Sequence, residues 1–114
     1  MMMIYKIVTA DLWQDALANQ KLVGMPVDLR DGYIHFSTAD QLRQTAEKHF
    51  KGQDGLILLG VRASALSGDL KWEPARGGDL FPHLYAHLPT VRVDLAVPLP
   101  LGADGRHRFP EGIA

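Results

Sequence analysis

The stretch Leu56-Ile57-Leu58-Leu59-Gly60-Val61 decides the fold of this chain. It is a continuous apolar run of strand length, and it lacks the alternation of apolar and polar residues that marks a strand with one face in water. A run of this kind is typical of a central strand that is covered on both faces. We therefore expect a sheet with other elements packed against both of its sides.

Two pairs of strand and helix precede this run. Residues 4–8 alternate β-forming side chains around a single lysine and predict a strand, after which Thr9 predicts the N-cap of a first helix. Residues 33–36 predict a second strand, and either Ser37 or Thr38 is suited to cap the helix that follows. After the central run, residues 91–95 predict the clearest antiparallel strand, because their apolar and polar residues alternate.

The order of these elements determines the fold class that we expect. Helices are concentrated in the first half of the chain and do not alternate with strands throughout, as they would in a doubly wound parallel sheet. The length of 114 residues is typical of one domain, and the sequence contains no repeat or linker. We expect a single α+β domain over residues 1–114, with two main helices and a mixed or antiparallel split sheet.

The composition excludes several kinds of function. The chain contains no cysteine, which rules out disulfides, thiolate nucleophiles and iron–sulfur clusters. Twelve basic and 13 acidic residues give a net charge of -1, so we expect no nucleic-acid partner unless a local basic patch exists. A membrane-spanning helix would need about 18 consecutive apolar residues, which the sequence lacks. We therefore expect a cytoplasmic protein that does not enter a membrane.

The densest chemical signal is the segment Asp31-Gly32-Tyr33-Ile34-His35-Phe36-Ser37-Thr38. It places the imidazole of His35 and the hydroxyls of Ser37 and Thr38 between a strand and a helix N-terminus, where free backbone N–H groups and the helix dipole attract an anion. The alternative is structural: the hydroxyls cap the helix, and His35 is a hydrogen-bonded core residue. These three residues are our first candidates for a binding site.

A second signal lies in residues 80–87. An extended conformation there would place His83, Tyr85 and His87 on one face, which suits a nucleotide or a sugar but equally an exposed edge strand. Together with His35, the two histidines could supply three ligands to a metal ion. No spacing in the sequence fixes that geometry, and we expect no metal.

A third signal is the carboxylate of Glu73, which follows Trp72. A carboxylate beside an aromatic ring can have the raised pKa that general acid–base catalysis requires. An exposed glutamate at the end of a strand is the alternative. We expect residues 31–45 and 72–87 to line one shared ligand cleft.

Taken together, these motifs resemble the bacterial domain-of-unknown-function family 952. The resemblance covers nearly the whole chain, from about residue 4 to residue 110. It rests on an ordered set of motifs, which are Ile4-Tyr5-Lys6-Ile7, the segment from Asp31 to Thr38 with Gln41-Leu42, Trp72-Glu73, and Phe81-Pro82-His83-Leu84-Tyr85.

That family is grouped by remote similarity with the ADP-ribosyltransferase-like fold, a split mixed sheet that holds NAD or an ADP-ribose derivative in a cleft. His35-Phe36-Ser37 is similar to the His-Leu-Ser step of its RNA 2′-phosphotransferase branch, and residues 81–85 resemble the later aromatic loop of that branch in placement. Two positions depart from the pattern. Lys6 stands near the place of a cleft histidine or arginine, and Glu73 lies earlier than the carboxylate of the transferases that modify proteins.

Two functional hypotheses follow. The first is an enzyme that transfers or hydrolyses at the ribose of NAD or an ADP-ribosylated substrate, with His35 and Glu73 as catalytic residues. Its ligand-binding residues would be Ser37, Thr38, His83 and Tyr85. The second is a binding module for a nucleotide-like small molecule, without turnover. Glu73 distinguishes them, because a position in the cleft beside His35 favours catalysis and a position in solvent favours binding. The sequence specifies neither the ligand nor the oligomeric state.

Overall fold

The structure is a computed structural model that describes residues 2–113, apart from the side chain of Arg76. In chain order, its strands and α-helices are β1 (Met3–Thr9), α1 (Ala10–Asn19), β2 (Lys21–Leu22), α2 (Pro26–Asp31), β3 (Ile34–His35), β4 (Ser37–Thr38), α3 (Ala39–His49), β5 (Leu56–Arg62), β6 (Leu70–Ala75), β7 (Asp79–Leu84), β8 (Leu88–Pro89) and β9 (Leu95–Pro98). Every strand pair in this part of the chain is antiparallel. The expected α+β class is confirmed, and the sheets take the antiparallel form.

The main sheet has the strand order β4-β1-β5-β9, which puts β5 in the middle. Leu58 of β5 faces a core that includes Leu42 and Ala46 of α3. The next residue, Leu59, faces a second core that includes Trp13 of α1. Both leucines are fully buried, so the prediction of a central strand covered on both faces is confirmed.

Both main helices begin at the predicted caps. The hydroxyl of Thr9 accepts a hydrogen bond from the backbone N–H of Leu12 at 3.2 Å. At the start of α3, the hydroxyl of Thr38 accepts from the N–H of Gln41 at 3.3 Å, and the Gln41 side chain accepts from the N–H of Thr38 at 3.0 Å. Of the two hydroxyls predicted to cap α3, Thr38 is therefore the cap. No helix within residues 2–113 is long and apolar enough to cross a membrane.

The extended segment 34–38 connects the main sheet to a second sheet of order β3-β7-β6. Its first half, β3, pairs with β7, and His35 lies opposite His83. Its second half, β4, pairs with β1, and Ser37 lies opposite Tyr5. Because this second pairing spans only two residues while β1 continues, β1 and β3 separate from each other. The resulting split between the sheets positions the candidate site.

Residues 91–95 do not form the strand that their alternation predicts. Thr90–Arg92 form a 3₁₀ helix, and Val91 is 88% exposed. The strand β9 starts only at Leu95, which pairs with Gly60 of β5. An alternating pattern yields a strand only where the chain reaches a free sheet edge, and here that happens at the end of the predicted segment.

Candidate functional site

A cavity of about 610 Å³ lies in the split between β1 and β3. One wall comes from β1 and α3, and the other comes from α2, β3 and β7. The lining combines apolar side chains with polar ones, among which are Tyr33, His35, Ser37 and His83. A cavity of this volume can hold a drug-sized ligand.

Asp28 on α2 is the centre of a hydrogen-bond network behind the cavity. Its Oδ2 accepts from the backbone N–H of Met25 at 2.7 Å and from Nζ of Lys6 at 2.9 Å. Its Oδ1 accepts from the backbone N–H of His35 at 3.1 Å and lies 2.6 Å from Nδ1 of the same residue. A carboxylate has about four acceptor sites, so this buried group is fully satisfied.

Lys6 and Asp28 form a buried ion pair. Nζ of Lys6 also donates to the backbone oxygen of His35 at 2.9 Å. Burial lowers the pKa of Lys6, and the nearby Asp28 opposes that shift. Burial also acts to raise the pKa of Asp28, but the hydrogen bond from His35 and the charge of Lys6 outweigh it and lower the pKa to about 2. Each charge compensates the burial of the other.

The short helix α2 brings Asp28 into this position, and sequence analysis missed both the helix and the residue. Pro26 is the first residue of α2, where its missing N–H removes no helical hydrogen bond. Gly24 has φ 125°, and a Cβ at this position would lie 2.7 Å from Cβ of Asp28, so the approach requires glycine. A helix of six residues is too short for apolar periodicity to reveal. The available signal was Pro26 with an acidic residue in the first turn.

His35 on β3 has a carboxylate at each ring nitrogen. Nδ1 contacts Asp28, and Nε2 lies 3.0 Å from Oδ2 of Asp31. The contact of Nδ1 with Oδ1 of Asp28, at 2.6 Å, is a hydrogen bond in which the ring donates, because an ionised carboxylate can only accept. His35 therefore serves as a hydrogen-bond donor in the described conformation.

His83 on β7 forms a second histidine–carboxylate pair, with Glu73 on β6. Nδ1 of His83 donates to Oε1 of Glu73 at 2.9 Å, and the hydroxyl of Tyr85 donates to the same oxygen at 2.7 Å. The hydrogen bonds from Tyr85 and His83 lower the pKa of Glu73, and the bond to Glu73 raises the pKa of Tyr85 to about 12. With the proton of His83 on Nδ1, Nε2 is the nitrogen left to accept a proton.

Tyr33 joins the two pairs into one aromatic cluster. Its ring stacks on His83 with centroids 4.2 Å apart, and it lies 4.6 Å from the ring of His35 and 5.1 Å from that of Tyr85. The two imidazoles are 5.4 Å apart and meet edge to face. Of the four residues expected to converge, His35, His83 and Tyr85 lie in this cluster, and Ser37 lines the same cavity as the two histidines. Tyr33 is the residue that sequence analysis did not single out.

The remaining predicted residues have different surroundings. Glu73 contacts His83 and Tyr85 but is not among the described residues that line the cavity. Ser37 lines the cavity, and its hydroxyl is paired with the hydroxyl of Thr45 at 2.7 Å. Thr38 caps α3, so the helix N-terminus expected to attract an anion is partly closed by the protein itself.

His87, considered above as a third metal ligand, is exposed and lies outside this cavity. Within the described residues, no group of three His, Cys, Asp or Glu side chains is arranged to hold a metal ion.

Fold and site together define a class of protein: a small antiparallel α+β fold with two histidine–carboxylate pairs at one cavity. The chain belongs to the family "Protein of unknown function (DUF952)", whose model matches residues 7–96. The family expected from the motifs is thus confirmed.

Solved structures of one bacterial protein show the same fold. The crystal structure of CC0527 from Caulobacter crescentus is 46% identical to this chain, covers 93% of each chain and has a TM-score of 0.89. Its solution NMR structure is 47% identical, covers 93% of this chain and 91% of that one, and has a TM-score of 0.84. No curated protein is significantly similar to the chain.

Proposed function

We propose that this protein is an enzyme that transfers or hydrolyses at the ribose of NAD or an ADP-ribosyl compound, with His35 and His83 as its acid–base pair. The observation that carries the proposal is that both imidazoles line one cavity and each has Nδ1 against a carboxylate. A carboxylate at Nδ1 fixes the ring orientation and directs Nε2 to the reacting group. Two imidazoles held in this way can supply an acid and a base to one reaction.

The two histidines have complementary roles in this proposal. His83 accepts the proton of the attacking water or hydroxyl at Nε2, while the bond between the ribose carbon and its leaving group breaks. His35 donates a hydrogen bond from Nε2 to the ligand once the contact of Nε2 with Asp31 is released. Their ring centroids are 5.4 Å apart, so one bound ribose can contact both.

The proposal changes the role of Glu73 from a catalytic to a positioning residue. One of its carboxylate oxygens already accepts hydrogen bonds from His83 and Tyr85, so it acts on the ligand through them. Tyr33 lines the cavity and offers its ring for stacking, and Ser37 remains the candidate contact for a ribose hydroxyl. Tyr85 is not among the described residues that line the cavity, and it contacts the ring of Tyr33 instead. The ligand class is supported by the resemblance to the ADP-ribosyltransferase-like cleft and by the volume of the cavity.

A non-catalytic binding module is the second candidate, and the surroundings of His35 favour it. Both ring nitrogens of this histidine are engaged by carboxylates of the protein itself. A module that only senses a nucleotide-like molecule needs no free acid or base. It would use the aromatic cluster and the apolar lining, and Glu73 would serve only to hold Tyr85 and His83.

A ligand screen precedes the test of catalysis. Thermal shifts should be measured with NAD, ADP-ribose, AMP and 2′-phosphorylated nucleotides. A ligand at 100 times its dissociation constant stabilises the folded state by about 2.7 kcal/mol. Compounds that bind are then incubated with the protein, and product release is followed by chromatography.

The enzyme proposal predicts that His83→Gln lowers kcat/KM by about 100-fold or more, as expected for loss of a general base. His87→Gln is the matched control, since His87 is exposed and outside the cavity, and it should behave like the native protein. Turnover by His83→Gln at the native rate would contradict the role of the imidazole pair. Binding without turnover in the native protein would instead favour the binding module.

A further inference from the structure

The carboxylate of Asp31 has no role in the proposed reaction, yet it lies inside the cavity. It is the only carboxylate among the described residues that line the cavity. The basic side chains in the same lining are Lys6, Arg30, His35, His49 and His83. Lys6 and His83 have carboxylate partners outside the lining, Asp28 and Glu73, whereas Arg30 and Nε2 of His35 face Asp31.

Asp31 bridges two of these basic groups. Its Oδ2 lies 3.0 Å from Nε2 of His35, and its Oδ1 lies 3.1 Å from Nε of Arg30. A single carboxylate thus occupies one guanidinium and one imidazole, as the oxygens of a bound phosphate or carboxylate would. The contacts involve partly exposed side chains, and such ion pairs are weak in water.

We propose that Arg30 and His35 form an anion subsite, which Asp31 occupies in the free protein and which a ligand phosphate or carboxylate takes over by displacing it. The fork of N–H groups on Arg30 fits planar and tetrahedral oxyanions, and Nε2 of His35 supplies a second charge-assisted donor. This inference rests on the proposed function and assigns an anionic group to its ligand.

The surroundings of Asp31 permit this exchange. Asp31 is the last residue of α2, and Gly32 follows it with φ 86° and no neighbour within 4 Å of the position of a Cβ. The side chain of Asp31 is itself 31% exposed, so it can turn from His35 into solvent. His35 keeps its orientation meanwhile, because Asp28 holds its Nδ1 and its backbone N–H independently of Asp31.

The test is to titrate inorganic phosphate, and separately acetate, into the protein while following the imidazole NMR signals of His35, assigned with His35→Gln. Asp31→Asn removes the internal competitor and should tighten phosphate binding about threefold or more. Arg30→Gln removes a ligand contact and should weaken it by a similar factor. The two anions distinguish a phosphate-bearing ligand from a carboxylate-bearing one.

Asp104→Asn is the matched control. Asp104 also contacts an arginine, Arg108, at 3.2 Å, is exposed, and does not line the cavity. It changes the net charge as Asp31→Asn does, and it should leave the phosphate affinity unchanged. Equal tightening in both variants would show a general charge effect and overturn the subsite.

Two further outcomes would overturn the inference. The first is phosphate binding that is unchanged or weaker in Asp31→Asn, and the second is phosphate binding that shifts no NMR signal of His35.

Failure of the proposed function can be distinguished from failure of the anion subsite, because these titrations require no turnover. If phosphate binds as expected and His83→Gln retains native turnover, only the reaction is refuted. If turnover depends on His83 and Asp31→Asn gains no affinity, only the subsite is refuted.

Discussion

The two histidine–carboxylate pairs of the cavity bury opposite partners. In the pair from α2 and β3, the side chain of Asp28 is 1% exposed and that of His35 is 31% exposed. In the pair from β6 and β7, the side chain of His83 is 3% exposed and that of Glu73 is 37% exposed. The same contact thus joins a buried charge to an accessible ring in one pair, and a buried ring to an accessible charge in the other.

This difference has energetic consequences. A buried carboxylate is stable only when opposite charge and hydrogen bonds replace its hydration, and Asp28 obtains them from Lys6, His35 and Met25. Glu73 keeps part of its hydration and needs no buried cation. The Asp28 pair should therefore matter for folding, and the Glu73 pair should matter mainly for the titration of its neighbours.

The largest predicted effect is the loss of stability in Asp28→Ala. This change leaves the ammonium of Lys6 buried without its partner, which typically costs about 3–5 kcal/mol. Urea unfolding at pH 7 measures it, and Glu73→Ala is the comparison variant, with a far smaller loss expected. The double variant Lys6→Met, Asp28→Leu should recover part of the stability. Equal losses in Asp28→Ala and Glu73→Ala would contradict the distinction between the two pairs.

A smaller loss of folding stability is expected at acidic pH. The folded state lowers the pKa of Asp28 from its ordinary value of 3.8 to about 2, so folding favours the ionised form. The corresponding stability, about 2 kcal/mol, is present above pH ~4 and disappears as the pH falls from ~4 to ~2. Urea unfolding across that range should show a weaker acid dependence in Asp28→Asn than in the native protein. If the free energy of unfolding falls equally with pH in Asp28→Asn and in the native protein, Asp28 does not cause the acid dependence of stability.

The smallest effect concerns the other pair. Glu73→Gln removes the negative charge beside the phenol of Tyr85, so the pKa of Tyr85 should fall from about 12 towards its ordinary value of 10.0. Ultraviolet titration of phenolate absorbance measures the change, and Tyr85→Phe identifies which step belongs to this residue. If the phenolate step with the highest pKa does not move in Glu73→Gln, then Glu73 does not control the pKa of Tyr85. The variant should unfold at nearly the native urea concentration.

Much of the fold could be predicted because its causes are local in the chain. The apolar run of β5 requires cover on both faces wherever it lies, and the hydroxyls of Thr9 and Thr38 cap helices through contacts three residues away. Part of the site was also accessible. His35 was identified by its position between a strand and a helix N-terminus, and His83 and Tyr85 were identified by their alternation in an extended segment.

The sequence placed Lys6 in the first strand, but it predicted neither the burial of Lys6 nor its pairing with Asp28. Contacts of this kind depend on which strands pair and in which register: His35 meets His83 only because β3 pairs with β7. Residues 91–95 also show that local sequence does not reveal which segments pair. Their alternation is typical of a strand, but most of the segment does not lie beside a sheet edge with which it could pair. Local sequence therefore determined which segments could be strands, helices and polar sites. The tertiary structure decided which of them meet, because pairing and ion-pair burial depend on the free energy of the whole chain.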